Sequence, residues 1–387
     1  MSLIRNQVLL TLVIAAAVAV AVSGFVGYAP NRLVSGRPVS LWAAAGFPTT
    51  FTILVIGVLL FATCFASPTG PLNYAEAGLA VALLLLALAA AGQAASTLAS
   101  GAKPAARISL GAAFWVLASC AALAVADALQ RLYAGPALRV LAVAAIVAGI
   151  AGLAAAGMFD GLSIVREYAI RRQLFADAVL RHIALVAGSV GPAIVIGFPL
   201  GVAAARKPAL QNPLFAVLNL LQTIPSIALF GLLIFPLAAL ARAVPPLAAI
   251  GVSGIGVAPA IVALVLYALL PIVRNTQAGI AGVDPAIVEA GRGMGLTGSQ
   301  IFRQVELPLA LPVLLAGLRI VTVQAIGLAV VAALIGAGGL GTFVFEGLGQ
   351  YAVDLVLLGA LPAIFLALAA DFILQTLSVV LRRRSAA

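Results

Sequence analysis

The longest polar connection in this chain is residues 284–308, DPAIVEAGRGMGLTGSQIFRQVELP, which stand between two long apolar stretches. We call it the 284–308 segment. Asp284 can cap a helix whose first residue is Pro285, because its side chain can accept a hydrogen bond from a free backbone N–H group of the first turn. Gly295 supplies the left-handed residue that ends such a helix. The first half of the segment therefore predicts a short, capped helix.

The second half predicts another short helix. Thr297 and Gln300 have the spacing of a capping box, in which each side chain bonds the backbone N–H group of the other residue. We expect this helix to run to Leu307 and to stop before Pro308. Two short helices that protrude from apolar stretches form a candidate docking element for a partner protein.

The rest of the chain is too apolar for a water-soluble protein. Of its 387 residues, 64% are hydrophobic and 8% are charged. Stretches of roughly 20 apolar residues, the length that crosses the hydrocarbon of a bilayer, recur along it without strand-like alternation. The sequence predicts an all-α polytopic membrane protein with about ten transmembrane helices. Their expected ranges are Val8–Ala29, Leu41–Ala66, Ala77–Ala99, Ile108–Ala126, Ala137–Met158, Ile183–Ala205, Pro213–Leu240, Ala258–Val273, Leu311–Ile335 and Val353–Leu381.

Basic residues indicate the orientation of the second half. The formal net charge is +10, but the basic residues lie in short loops, so they report membrane topology rather than a nucleic acid partner. From Ile183 onward, one side carries most of them, including Arg206 and the run 382–384, while the opposite loops carry Arg242. The basic side, with the 284–308 segment, is expected to be the cytoplasm. Before Ile183 the basic residues show little bias between the two sides. Because the number of predicted spans is even, both termini are expected on the same, cytoplasmic side.

The first span admits two interpretations. Arg5 precedes a long apolar run, and Ala21-Val22-Ser23 is an acceptable cleavage site, so the span could be a signal peptide. The length of the run favours an uncleaved helix.

Proline divides the chain into a simple half and a kinked half. Among the first five spans, Pro48 is the interior proline. The later spans contain Pro192, Pro199, Pro225, Pro236, Pro271 and Pro362. Interior proline frees a backbone carbonyl, which membrane helices tolerate beside neighbouring helices or a cavity. We expect amino-terminal transmembrane helices at 1–158, an amphipathic connector at the outer interface at 159–182, and a working core at 183–384 with its cytoplasmic loop at 274–310.

The 284–308 segment resembles the signature loop of bacterial ABC importer permeases. That signature is Glu-Ala-Ala, three residues, Gly, nine residues, an aliphatic residue, any residue, then Leu-Pro. The matching residues are Glu289, Ala290, Gly291 in place of the second Ala, Gly295, Val305, Leu307 and Pro308. The resemblance implies a type I ABC importer core in the carboxy-terminal half, with this loop inserted as a coupling helix into an ATP-hydrolysing subunit. The apolar face of that helix would be Ile287, Ala290 and Met294.

Other stretches are similar to permeases for glycine betaine, choline and related osmoprotectants. They are Gln222–Ser226, Ala263–Pro271, Ala333–Gly341 and, for the long glycine betaine permeases of the Yeh type, Tyr28–Gly36. The resemblance implies a multi-pass protein of the bacterial inner membrane, surrounded by lipid, that passes glycine betaine or a related quaternary ammonium compound. It also implies three kinds of partner: ATP-binding subunits in two copies, a second permease that is related or identical, and a periplasmic or lipid-anchored substrate-binding protein. ATP and magnesium would be bound by the ATPase, so this chain is expected to be no enzyme and to hold no cofactor.

Polar residues in two spans are candidates for the translocation path. Asn219, Gln222, Thr223 and Ser226 fall at i, i+3, i+4 and i+7, which predicts a polar stripe on one helix. Thr322 and Gln324 are the candidates in the ninth span. Hydrogen bonding between helices is the alternative for the stripe.

A glycine-rich stretch ends the ninth span. Gly336, Gly338 and Gly341 satisfy the spacing G-x-G-x-x-G, but no strand precedes them, so a dinucleotide site is not expected. With Gly339, they predict a re-entrant turn or gate on the outer side.

Two charged residues lie within predicted spans. Arg319 is near the inner end of its span, where we expect it to snorkel towards the interface. Asp371 lies deep in the last span and has no obvious acidic or histidine partner, so we expect it to pair helices rather than relay protons.

A different class of function stays open at this point. Ten spans with broken helices also fit an ion-coupled secondary transporter for a small zwitterionic solute. Such a protein should carry an inverted repeat, and the unequal distribution of proline argues against one. Cys64, Cys120 and His182 form no cluster in the sequence, so no metal site is expected.

Overall fold

A computed structural model describes residues 4–31, 34, 36–100 and 105–385, with the side chains of the last four excepted. Part of the stretch 28–36 and the predicted arginine side chains at 382–384 therefore lie outside the described residues. The described chain is mostly helical and divides into two compact units, which we call unit 1 (Met1–Ile170) and unit 2 (Arg171–Ala387).

Unit 1 contains six helices and a small sheet among its described residues. The helices are α1 (Gln7–Val22), α2 (Leu41–Thr63), α3 (Gly70–Ala99), α4 (Ala112–Arg131), α5 (Pro136–Ala155) and α6 (Ser163–Ile170). The strands are β1 (Val26–Ala29), β2 (Arg37–Val39) and β3 (Arg107–Leu110). The central strand β1 pairs antiparallel with both others, so that Val26 lies opposite Val39 on one side and Leu110 on the other.

The sheet corrects two predicted spans. The first helix ends at Val22 instead of Ala29, and the fourth begins at Ala112 instead of Ile108, because the residues between belong to β1 and β3. Sheet pairing satisfies their backbone groups, and β-branched Val26 and Ile108 are buried there.

Alanine dominates the core of unit 1. One face of α3 buries Ala80, Ala87, Ala90, Ala91, Ala94 and Ala95. Helix α3 packs against both α2 and α4. Small side chains let helices approach closely in a membrane, where dispersion contacts replace the hydrophobic effect between helices.

Unit 2 begins with the long helix α7 (Arg172–Arg206), so residues 172–182 of the expected connector are the first turns of that helix. The further elements are α8 (Pro208–Thr223), α9 (Ser226–Ala243), α10 (Pro245–Ala249), α11 (Val257–Ala281), α12 (Pro285–Gly293), α13 (Gly298–Ile301), a π-helical turn (Phe302–Glu306), α14 (Leu307–Val331), a 3₁₀ turn (Ala332–Ile335), α15 (Gly341–Gly349) and α16 (Val353–Ser385). Helix α11 lies at the centre, against α7, α14, α8 and α9.

Small residues bring α7 onto α11. Gly197 and Gly201 are buried on α7 with the spacing G-x-x-x-G. A Cβ atom at Gly201 would lie 2.4 Å from Cβ of Thr276 and 2.8 Å from the carbonyl oxygen of Val273. The backbones are therefore in close contact, the arrangement typical of small residues between membrane helices.

Nine helices of the described chain are long and apolar enough to cross a membrane, where about ten were expected. Helix α1 has 16 residues, which rise about 24 Å against a hydrocarbon core of about 30 Å. The predicted seventh span is wrong as one helix: α8 ends at Thr223, and α9 begins at Ser226 after Pro225. Helix lengths thus do not fix an even number of spans, and the side of each terminus stays a prediction.

Candidate functional site

The 284–308 segment folds as two short helices. The Asp284 carboxylate accepts a hydrogen bond from the Ala286 backbone N–H group at 2.8 Å, and Pro285 is the first residue of α12. Gly295 has φ +83°, and its N–H group donates to the Arg292 carbonyl oxygen at 2.9 Å. The predicted cap and stop of the first helix are confirmed.

The capping box of the second helix is also confirmed, but its predicted end is wrong. The backbone N–H group of Thr297 donates to Oε1 of Gln300 at 2.7 Å, and the reciprocal bond is 3.4 Å. After α13 the chain continues through the π-helical turn into α14, so Leu307 and Pro308 are the first residues of a long helix. A π-helical turn is wider than an α-helical one, and Pro308 costs little at a first turn, where its missing N–H group is not needed.

One face of α12 is apolar, and no other described residue covers it. Ile287 is 45% exposed and Met294 is 74% exposed, and Ala290 between them is exposed too. Glu289 pairs with Arg292 one turn on, and both side chains point into open space. This arrangement leaves an apolar helix face and a charged pair free for a partner.

Gly291 is the buried residue of α12 and faces the second short helix. A Cβ atom there would meet Ile301 at 3.5 Å and Leu296 at 3.6 Å, which is ordinary van der Waals contact. The alanine of the signature would therefore fit at this position, and its replacement by glycine leaves the packing of the two short helices unchanged.

Sequence reasoning missed an ion pair at the end of the segment. Glu306 is 3% exposed, and its two carboxylate oxygens accept hydrogen bonds from the two terminal nitrogens of Arg206, one of them at 2.9 Å. Arg206 is the last residue of α7, whereas Glu306 ends the π-helical turn. In the sequence, Arg206 is a topology signal, and Glu306 occupies the unrestricted position of the signature. The signal available in the sequence is an acidic residue directly before Leu-Pro, close to the start of an apolar stretch.

The predicted polar stripe does not lie on one helix. Asn219, Gln222 and Thr223 share a face of α8, but Ser226 begins α9 beyond the break at Pro225. The Gln222 side-chain amide donates to the carbonyl oxygen of Tyr267 on α11 at 2.5 Å. This bond joins two helices, as the alternative interpretation requires, while Asn219 and Thr223 remain exposed.

Tyr267 ties the break between α8 and α9 to the central helix. Its hydroxyl group donates to the carbonyl oxygen of Ile224, which stands directly before Pro225. A proline ends regular helical bonding and frees carbonyl groups, so the tyrosine satisfies one of them. Gln222 and Tyr267 thus form two hydrogen bonds that hold the kink against α11.

The two candidates on α14 do not share a face. Thr322 and Gln324 are two residues apart, so they point about 200° from each other around the helix. The Thr322 hydroxyl donates to the Leu318 carbonyl oxygen at 2.8 Å within α14. At most one of them can therefore line the same translocation path as the α8 residues.

Arg319 does not snorkel; it pairs with Asp371. Two guanidinium nitrogens of Arg319 on α14 contact both carboxylate oxygens of Asp371 on α16, one at 2.8 Å. The prediction for Arg319 is therefore wrong, and the prediction that Asp371 pairs helices is confirmed.

The glycine stretch forms a tight turn between α14 and α15. Gly336, Gly338 and Gly339 have φ values of +79°, +80° and +82°, the left-handed region that favours glycine. At Gly341 a Cβ atom would lie 1.9 Å from the carbonyl oxygen of Val330, so any side chain would displace the backbone. The predicted turn is confirmed, and its role as a gate stays a prediction.

This turn packs against the first part of α7. His182 is fully buried, with its Nε2 atom 3.1 Å from the carbonyl oxygen of Ile326 on α14. A Cβ atom at Gly339 would lie 3.2 Å from Nδ1 of His182. His182 and Arg206 are 24 positions apart, about 36 Å along the helix axis, so the turn and the 284–308 segment contact α7 at well-separated points.

Two family models match the chain. Residues 4–165 match "ABC transporter permease YehY, N-terminal domain", and residues 197–386 match "Binding-protein-dependent transport system inner membrane component".

Curated relatives are similar to about half of the chain. The osmoprotectant import permease protein OsmW of Salmonella typhimurium is 45% identical over 206 residues, which cover 53% of this chain and 91% of the relative. The carnitine transport permease protein OpuCB of Listeria monocytogenes is 42% identical and covers 51% of this chain and 83% of its own length. The glycine betaine/carnitine/choline transport system permease protein OpuCB of Bacillus subtilis is 40% identical, with 50% and 81% covered.

Among solved structures, the MetNI methionine ABC transporter in an inward-facing conformation is 24% identical with a TM-score of 0.47. The match covers 55% of this chain and 97% of that one.

Proposed function

The chain belongs to the binding-protein-dependent inner membrane permeases of ABC importers, and we propose that it passes an osmoprotectant when ATP is hydrolysed by a partner subunit. The family assigns a permease role to the chain. The relatives support this role, and they do not support an ion-coupled secondary transporter.

The observation that carries the proposal is the uncovered face of α12. Ile287, Ala290 and Met294 present an apolar surface on a capped helix, which is the form in which a helix inserts into a groove of a partner. We propose that this face docks into an ATP-binding subunit, with one such subunit on each of two permease copies. ATP and magnesium would then be bound by that subunit, and this chain would do no covalent chemistry.

Glycine betaine or a related quaternary ammonium compound is the proposed substrate. The support comes from relatives whose names specify osmoprotectants, carnitine, choline and glycine betaine. A substrate-binding protein would supply most of the affinity, and the permease would supply a path. Asn219 and Thr223 on α8 are the proposed path residues, with Gln222 and Ser226 at the kink and either Thr322 or Gln324 on α14.

The proposed orientation places the 284–308 segment and both termini in the cytoplasm of a bacterium, and the Gly336–Gly341 turn at the outer surface. It is supported by the basic residues near the segment, among them Arg206 and Arg303.

The test is ATP-dependent uptake of radiolabelled osmoprotectants by vesicles that contain the chain with its ATP-binding and substrate-binding partners. Glycine betaine, choline and carnitine are each supplied. Glu289→Lys places a like charge beside Arg292 on the exposed charged side of α12, and we expect uptake to fall by about tenfold or more. Gly295→Pro should reduce it further, because proline cannot adopt φ +83° and removes the bond to Arg292.

The control is Tyr133→Lys, which introduces a lysine at a side chain that is 93% exposed in unit 1. Uptake in this variant should equal that of the unchanged protein. Normal uptake in Glu289→Lys and Gly295→Pro would contradict coupling through α12, and uptake driven by an ion gradient without ATP would contradict the proposal as a whole.

A further inference from the structure

Helix α7 contacts, at two separate points, the two regions of unit 2 that should move in a transport cycle. At its last residue, Arg206 holds Glu306 at the close of the π-helical turn. About ten residues in from its other end, His182 packs against the Gly336–Gly341 turn. Between these points α7 is helical throughout, although it contains Pro192 and Pro199, and it is anchored to α11 at Gly197 and Gly201. The helix is therefore a physical connection between the 284–308 segment and the glycine turn.

The contact between Arg206 and Glu306 fixes the relative orientation of the two side chains. Two guanidinium nitrogens face two carboxylate oxygens, and such paired bonds define orientation as well as distance. Glu306 is almost completely buried, whereas the Arg206 side chain is 46% exposed. The loss of hydration falls on the Glu306 carboxylate, and an apolar residue of similar volume at position 306 would avoid it. Stability alone does not explain a charged pair at this position.

The place of Glu306 in the chain points to the same conclusion. It is the last residue of the π-helical turn, directly between α13 and the membrane helix α14. π-Helical turns are rare and occur frequently at functional sites. A displacement of α12 by a partner would reach α11 and α14 along the chain, and both of these helices pack on α7. The ion pair adds a direct contact between the 284–308 segment and α7.

We propose that Arg206 and Glu306 are positioning residues of the transport cycle, through which displacement of the 284–308 segment moves α7. This inference rests on the proposed function, since it assumes that a partner ATPase moves the segment. It adds a specific consequence: breaking the pair should separate ATP hydrolysis from transport, because the ATPase still docks on α12 while α7 no longer follows.

The experiment measures the ratio of substrate transported to ATP hydrolysed in proteoliposomes that contain the full complex. The substrate is whichever of glycine betaine, choline and carnitine the unchanged protein transports fastest. In Glu306→Gln, which keeps the shape of the side chain and removes its charge, we expect the ratio to fall about tenfold, within the range typical of coupling between sites. The reversed pair, Arg206→Glu with Glu306→Arg, should recover a substantial part of it.

The matched control is the ion pair between Arg107 and Glu167, whose 2.6 Å contact lies in unit 1 and whose carboxylate is also buried. Glu167→Gln likewise removes one buried carboxylate charge, and it should leave the ratio unchanged. If Glu306→Gln does not assemble, Arg206→Lys replaces it, since lysine keeps the charge but lacks the planar fork. An unchanged ratio in the variant that assembles would overturn the inference.

The outcomes separate the two proposals. If the unchanged complex transports none of the three substrates with ATP, the proposed function fails. If it transports one, and Glu306→Gln lowers transport and hydrolysis in equal proportion, the pair has only a structural role and the inference fails.

Discussion

Arg319 and Asp371 bring opposite charges into two apolar helices and neutralise each other there. The pair joins α14 to α16 by two contacts, and both residues lie within helices that are apolar enough to cross a membrane. Inside a membrane, an unpaired charge is costly and a paired one can be tolerated. The same reasoning applies to Glu306, whose burial requires Arg206.

Asp371→Leu should destabilise the protein by about 2.5–3.5 kcal/mol, because it leaves the Arg319 guanidinium unpaired within the apolar region. The double variant Arg319→Met with Asp371→Leu should recover most of that loss. The free energy of unfolding in bicelles measures both. A double variant that is as unstable as Asp371→Leu would contradict pairing as the reason for the two charges.

At the scale of single elements, the packing of α7 on α11 depends on missing side chains. Gly201 sits against Thr276 so closely that even one methyl group has no room. Tyr267 secures the other side of α11 by bonding the carbonyl group at the break between α8 and α9. Helix α11 is therefore held by close backbone contact on one side and by hydrogen bonds on the other.

Gly201→Ala should lower the stability by about 1–3 kcal/mol, because the added Cβ atom would lie 2.4 Å from Thr276 and would push α7 away from α11. The control is Gly327→Ala on α14, where no atom lies within 4 Å of the added Cβ. That change should be neutral or stabilise the helix by up to about 1 kcal/mol. Thermal unfolding of the purified variants compares the two, and equal melting temperatures would contradict tight packing at Gly201.

At the scale of the whole molecule, the permease signature and the glycine turn both lie in unit 2. The inner membrane component model matches residues 197–386, and OsmW reaches 91% coverage with 206 matched residues. Unit 1 matches a separate model over residues 4–165. The two units thus correspond to two family models, and the curated relatives match over about half of the chain.

A chain of residues 171–387 should therefore retain ATP-dependent uptake when it is produced with its partners, at a rate within about tenfold of the full chain. It keeps three ion pairs that lie inside unit 2. They are Arg171 with Glu346, Arg206 with Glu306, and Arg319 with Asp371. Uptake in vesicles with equal amounts of each protein is the measurement. A truncated protein that assembles with the ATPase but transports nothing would show that unit 1 is required for transport.

Local features of the fold could be read from the sequence because they depend on neighbouring residues. The cap at Asp284, the stop at Gly295 and the capping box of Thr297 with Gln300 each involve residues within four positions. Most spans were found for a similar reason, since a long apolar run is itself the signal for a membrane helix. The predicted ends of the spans were wrong where the chain pairs with a distant element. Val26, for example, was assigned to the first helix but belongs to strand β1.

The sequence by itself therefore determined the class of the protein, the number of spans to within about one, and the 284–308 segment with its caps. Only the tertiary structure decided that Arg206 binds Glu306, that Arg319 binds Asp371 and that the polar stripe is divided at Pro225. The physical reason is the separation along the sequence between the residues that interact. Capping bonds close within one helical turn, whereas these ion pairs join residues 100 and 52 positions apart, and a charge in a sequence does not specify which helix will bring its partner.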